Sequence, residues 1–161
     1  VSIARLTNAQ KRYRLGKGIV DIMHTGKPQG RKDGSVGTKP TVPCDDVKED
    51  VVMKEVTTWL TKHRILNDRN NTGMGDIGGN GRKYRYGIKD AGDILGCLPN
   101  GKHFELELKR GRGGTWSEGQ QKRCANVRTN NGVYLLIHGV PELVAMFLPL
   151  LKKRKDIRDL L

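Results

Sequence analysis

A chain of 161 residues in which 30 Lys and Arg stand against 17 Asp and Glu carries a formal net charge of +13. That length suits one domain with one core, and 35% hydrophobic against 29% charged residues describes a polar globular protein with basic parts. With no run of about 18 apolar residues and no secretory signal at its start, a cytoplasmic protein with a polyanionic partner is expected, nucleic acid ahead of anionic membrane.

Cysteine usage agrees with a reducing compartment. Cys44, Cys97 and Cys124 are widely spaced, form no C-x-x-C and have no histidine at zinc spacing, so they read as reduced and structural. His24, His63, His103 and His138 are scattered; His103 reads as a surface residue at a strand end.

Residues 1–44 differ from the rest. Val1–Leu15 suits a short helix, and Gly26–Val42 is crowded with Gly, Pro and Lys, which is loop chemistry. Lys11, Arg12, Arg14, Lys17, Arg31 and Lys32 make this a basic arm that either lies on DNA or a partner subunit, or is a terminal extension with no binding role.

A helix is predicted from Asp46 to about Arg64. Asp46 and Glu49 have capping-box spacing, and Val52, Val56, Trp59, Leu60 and His63 recur at helical spacing as the buried stripe. Glu49 and Glu55 are the two acids this helix could bring to a site. A short strand from Ile65 then runs into a loop. Gly73-Met74-Gly75-Asp76-Ile77-Gly78 matches the dinucleotide fingerprint in letters, but a strand with Tyr84 and Tyr86 follows where that fingerprint needs a helix, so nucleotide binding is rejected. Arg82, Lys83 and Arg85 beside two tyrosines suit either contact with phosphate and exposed bases or a hairpin with a solvated basic face.

Asp93–Leu98 and His103–Lys109 alternate around Pro99-Asn100-Gly101-Lys102, the signal of a β-hairpin. A period of two puts Phe104, Leu106 and Leu108 on one face and His103, Glu105, Glu107 and Lys109 on the other. Asp93 and Glu107 can supply the two carboxylates that Mg²⁺ takes in phosphodiester hydrolysis, and Lys109 can orient water or offset the growing negative charge. A solvated strand face with a salt pair is the plainer account of Glu-x-Lys alone.

Arg110-Gly111-Arg112-Gly113-Gly114 is a basic glycine turn. It feeds a helix that Ser117 and Gln120 would cap and Gly132 would stop, and its N–H groups and helix dipole could face a phosphate. Gln120 could reach either the cap or the metal centre. Val133–His138 reads as a strand covered on both faces, and Pro141 opens a last helix from Glu142 to about Leu150. Residues 151–161 are a basic tail.

Taken together this is an α/β protein with a mixed sheet and outer helices in the order αβββαβα, with an arm (1–44), a domain (45–150) and a tail (151–161). Asp93 before Glu107-x-Lys109, the Ser117-x-x-Gln120 helix start, Arg69-Asn70-Asn71-Thr72-Gly73 and Gly92-Asp93-Ile94-Leu95-Gly96 resemble the VRR-NUC family of the PD-(D/E)XK nuclease superfamily over about residues 45–147. The family often has proline before the metal-binding Asp, where this chain has Gly92.

The resemblance implies a Mg²⁺- or Mn²⁺-dependent DNA endonuclease of replication, recombination or repair, virus-encoded or bacterial. Metal would be held by Asp93, Glu107 and the Leu108 carbonyl. Lys109 and Gln120 would assist and Glu49 would be the helix acid. Candidate DNA contacts are Arg69, Arg82, Lys83, Arg85, Arg110, Arg112 and Ser117. The small members are similar to four-way-junction resolvases working as homodimers. The competing expectations are a restriction or homing-type endonuclease and a DNA-binding module without catalysis.

Overall fold

The alternation in residues 103–109 organises the architecture, because its two faces meet different helices. The computed structural model describes residues 32–151 apart from 77 and 80. Its strands are β1 (Val36–Gly37), β2 (Leu66–Arg69), β3 (Gly73–Asp76), β4 (Lys83–Tyr86), β5 (Ile94–Cys97), β6 (His103–Leu108), β7 (Thr115–Trp116) and β8 (Val133–Ile137). Its helices are α1 (Glu49–Lys62), α2 (Glu118–Thr129) and α3 (Val140–Leu151). The short helix expected in Val1–Leu15, the basic residues Lys11 to Arg31 and the tail beyond Leu151 lie outside the described residues.

This is a mixed α and β fold. The main sheet has the order β2-β5-β6-β8, antiparallel through the first three strands and parallel between β6 and β8, with α2 as the crossover. Phe104, Leu106 and Leu108 face α1 and α3 and pack with Val52, Val56, Leu60, Leu143 and Phe147. On the reverse face, under α2, a smaller cluster joins Trp116, Cys124, Val127 and Tyr134. Glu105, Glu107 and Lys109 therefore point toward α2, and all three are buried.

The hairpin turn is a three-residue loop. Gly101 N–H donates to the Leu98 carbonyl and Leu98 N–H to the Lys102 carbonyl, each at 2.8 Å. Gly101 carries the positive φ of 81°, while Asn100 does not, which is a type I turn closed by a glycine bulge. At the end of α2 the left-handed residue is Asn131, and the Gly132 N–H closes the helix on the Val127 carbonyl.

Two expectations change. Helix α1 begins at Glu49 with Lys48 as its cap and no side-chain capping bond, so the Asp46–Glu49 box does not form. The Asp46 carboxylate turns instead to Arg110 and Arg112, at 3.3 and 2.8 Å. His63 is exposed rather than buried, stacked on Trp59 past the end of the helix. His138, at the end of the strand expected to be covered on both faces, is fully buried.

Residues 32–44, grouped with the arm by composition, run along the domain. Strand β1 pairs with β7, and the Thr38 Oγ1 accepts from Gly114 N–H. Glu142 accepts from Thr41 N–H and Oγ1, both at 2.7 Å, and from His138 N–H at 2.8 Å. Its Oε2 is also 2.7 Å from His138 Nδ1. Glu142→Ala would strand these buried groups, so a loss of about 3 kcal/mol is expected. Urea melts measure it, and amide exchange at Thr38 and Thr41 should rise with it. Unchanged exchange there would refute the latch.

Candidate active site

The ladder pairs Ile94 with Leu106, so one residue further Asp93 comes opposite Glu107. Directly opposed residues of an antiparallel pair share a face, which puts both carboxylates on the α2 side. Asp93 Oδ2 accepts from Leu108 N–H at 2.8 Å, which fixes its carboxylate against β6. Glu107 Oε1 accepts from Lys109 Nζ at 2.5 Å and from Gln120 Nε2 at 2.6 Å, and Tyr134 Oη approaches Oε2 at 3.4 Å.

Gln120 serves the cap and also reaches Glu107. Its Oε1 accepts from Ser117 N–H at 2.9 Å while Ser117 Oγ accepts from Gln120 N–H, which completes the capping box. The other end of the amide holds Glu107. Ser117 is thus spent on the helix start, and its hydroxyl is engaged there.

Burial pushes the Glu107 carboxyl up to about 7, helped by the nearby charges of Asp93 and Glu49 against the opposing pull of Lys109. Glu49, at the exposed start of α1, is also raised, first by burial and then by Asp93, with Lys109 opposing. Of the two helix acids it is Glu49 whose charge interacts with this group. Glu55 sits exposed about 9 Å further along the helix axis.

Among the described residues, no group of three or more His, Cys, Asp or Glu side chains is placed to hold a metal ion. Asp93 and Glu107 are the residues that could hold one. Two hard carboxylates, one of them raised chiefly by burial and further by the charge of the other, suit a small divalent cation that keeps several waters, as Mg²⁺ does.

Next to this pair lies a second buried carboxylate that the sequence reading did not single out. Glu105 meets Arg123 Nε at 3.0 and 3.2 Å and Nη2 at 2.5 Å, with His103 Nε2 at 2.9 Å. Its Oε2 also accepts from Gly92 N–H at 3.0 Å. Burial alone would raise Glu105; the hydrogen bonds from Arg123, His103 and Gly92 outweigh it and hold the carboxyl below its ordinary value. Gln120 and Arg123, one turn apart on α2, thus reach Glu107 and Glu105, two residues apart on β6. Proline at position 92 would have no N–H for Glu105, and even a Cβ there would come within 2.8 Å of the Leu106 carbonyl oxygen.

A groove of about 410 Å³ opens beside Asp93 and Gln120, lined also by Asn70, Met74, Arg85 and Lys89. Asn70 brackets it. Its N–H donates to the Asp93 carbonyl, and its side chain exchanges two hydrogen bonds with the backbone of Ile88. The β3–β4 hairpin is thereby held next to Asp93.

Of the candidate DNA contacts, Arg85 lines the groove and Lys83 is exposed on the same strand. Arg82 is exposed just before it, and Arg69 is exposed at the end of β2, the edge strand. Arg110 and Arg112 are exposed but share Asp46. The phosphate cradle expected in the glycine turn is otherwise engaged. Gly111 N–H goes to the Val47 carbonyl, Gly113 N–H to the Arg110 carbonyl and Gly114 N–H to Thr38 Oγ1. Lys89 has no signal of its own, and Asn70 enters only as part of the Arg69–Gly73 stretch; the fold places both beside Asp93.

All three cysteines are free thiols, and no helix among the described residues is long and apolar enough to cross a membrane. Compared with protein-family models, curated proteins and solved structures, the chain shows no match.

Proposed function

We propose that this chain is a metal-dependent DNA endonuclease with a PD-(D/E)XK-like core. The observation that carries the reading is that Asp93, just ahead of β5, and Glu107 on β6 lie on one sheet face, with Lys109 and Gln120 both bonded to Glu107. Mg²⁺ or Mn²⁺, held by Asp93, Glu107 and the Leu108 carbonyl, would polarise the phosphoryl oxygen and acidify a water. Lys109 contributes the cation that offsets charge growing on the phosphate, and Gln120 holds Glu107 in one orientation between helix and strand. Glu49 adds a third negative charge at the rim. Arg85 and Lys89 line the groove to the site and favour a polyanion.

The proposed substrate is branched DNA, a four-way junction cut by a homodimer, since two cuts on a two-fold substrate require two sites at fixed separation. Incubating the protein on junction, flap and plain duplex DNA, with Mg²⁺, with Mn²⁺ and with chelator, tests this. Metal-dependent cutting strongest on the junction is expected. Equal cutting of plain duplex would remove the branched substrate, and a monomer on junction DNA by light scattering would remove paired cutting. Salt-sensitive binding with no cleavage in either metal would overturn the nuclease reading altogether.

A further inference from the structure

The β3–β4 hairpin has two faces of opposite chemistry. Tyr84 and Tyr86 lie on one face of β4, and the residues they oppose on β3 are Gly75 and Gly73. A Cβ at Gly73 would stand 2.3 Å from the Tyr86 hydroxyl, and one at Gly75 would stand 3.0 Å from Tyr84 Cε1. The phenol ends therefore cross onto a strand that carries no side chains there, and the two rings sit side by side at 6.1 Å.

Neither ring belongs to either core cluster, and they remain 43% and 45% exposed. Lys83 and Arg85 occupy the other face of β4, with Met74 opposite Arg85. A two-stranded hairpin gains little stability by itself, and two adjacent aromatic rings left nearly half exposed offer a face that an occupant can cover.

We infer that this hairpin is a stacking platform for unpaired nucleobases, with the Lys83 and Arg85 side attracting the same strand's phosphates. Aromatic faces beside a cationic track are what a single strand requires, because every base has a π-face and every linkage a charge. An apolar protein partner would gain nothing from the cations, whereas a nucleic acid uses both faces. The inference deepens the nuclease reading and rests on it for direction: the groove lined by Arg85, on the cationic face, leads to Asp93, so the favoured substrate is one with an unpaired stretch near the scissile phosphate.

The test uses the full chain in chelator, where nothing is cut, and compares oligothymidylate of about 12 nucleotides with an abasic deoxyribose-phosphate oligomer of the same length. By fluorescence anisotropy the wild type should bind the base-bearing strand about tenfold or more tightly than the abasic one. Tyr84→Ala with Tyr86→Ala should erase that preference while leaving abasic binding unchanged. Tyr84→Phe with Tyr86→Phe should keep it, since the ring is retained. Equal wild-type affinity for both oligomers, or an equal loss on both in the alanine pair, would overturn the platform. So would loss of self-association in the alanine pair with base preference intact, which would assign the face to a second copy. A base preference in a protein that cuts nothing with any metal would leave the platform standing and sink the nuclease; cutting without base preference would do the reverse.

Discussion

Under the proposed mechanism Asp93→Asn and Glu107→Gln should each lower Mg²⁺-dependent cleavage by about a thousandfold, because each would remove an anionic oxygen from the cation's shell and several kcal/mol of transition-state stabilisation with it. Both substitutions conserve shape. The amide introduced by Asp93→Asn keeps an oxygen able to accept from Leu108 N–H, and the amide introduced by Glu107→Gln keeps one for Lys109 and Gln120. Binding of DNA in chelator should therefore persist, which separates a lost engine from a lost fold. A second readout needs no substrate at all. Ligand bound to the native state alone adds RT ln(1 + [L]/Kd), so Mg²⁺ at about 100 times its Kd should stabilise the wild type by about 2.7 kcal/mol. Neither variant should show that rise in Tm. Wild-type cleavage rates in Glu107→Gln, or an undiminished Mg²⁺ shift, would remove these residues from the site.

What was legible in the chain was local. The hairpin was readable because turn chemistry and a period of two act within a few residues, and the same holds for the capping box at Ser117 and Gln120. The facing of Glu107 and Lys109 follows from that period alone. Their burial does not, since it depends on α2 lying over β6, and nothing in residues 103–109 announces that a helix beginning at Glu118 will be their cover.

Distance in sequence explains the misses. Asp46 had the spacing of a cap, but two arginines more than sixty residues away offered charged partners, and the helix began three residues later instead. Such exposed pairs contribute little each, so Arg110 and Arg112 can give up Asp46 for a phosphate at small loss. His138 ends an apolar strand and shows no periodic sign of burial. Its partners Glu142 and Thr38 come from the next helix and from a segment whose Gly, Pro and Lys content reads as loop. Composition reads residues 32–44 as irregular chain, and apart from the two residues of β1 they form no helix or strand. Irregular chain can still be packed, and the bonds to Glu142 are what hold it.

Glu105 gives the last expectation, which is the sharpest about positioning. Arg123→Met would leave a buried carboxylate with only His103 and the Gly92 N–H, and losing one partner of a buried pair should destabilise by about 3 kcal/mol. The sign with pH follows from the lowered carboxyl: its contribution is complete above the ordinary value of 4.5 and is lost as pH falls through the folded-state value. The gap between wild type and Arg123→Met should accordingly be widest near neutrality and should narrow in acid, where both proteins hold Glu105 protonated. Denaturant melts across that range measure it, and a gap independent of pH would refute the ion pair as its cause. Replacing both partners, Glu105→Leu with Arg123→Leu, removes the buried charge and should recover most of the stability. Under the proposed mechanism cleavage should not recover with it, because the Gly92 N–H loses the acceptor that fixes the backbone entering Asp93, and a small misplacement of a carboxylate that would bind metal is costly to the rate. A double variant that regains both stability and cutting would make Glu105 a fold element with no bearing on Asp93.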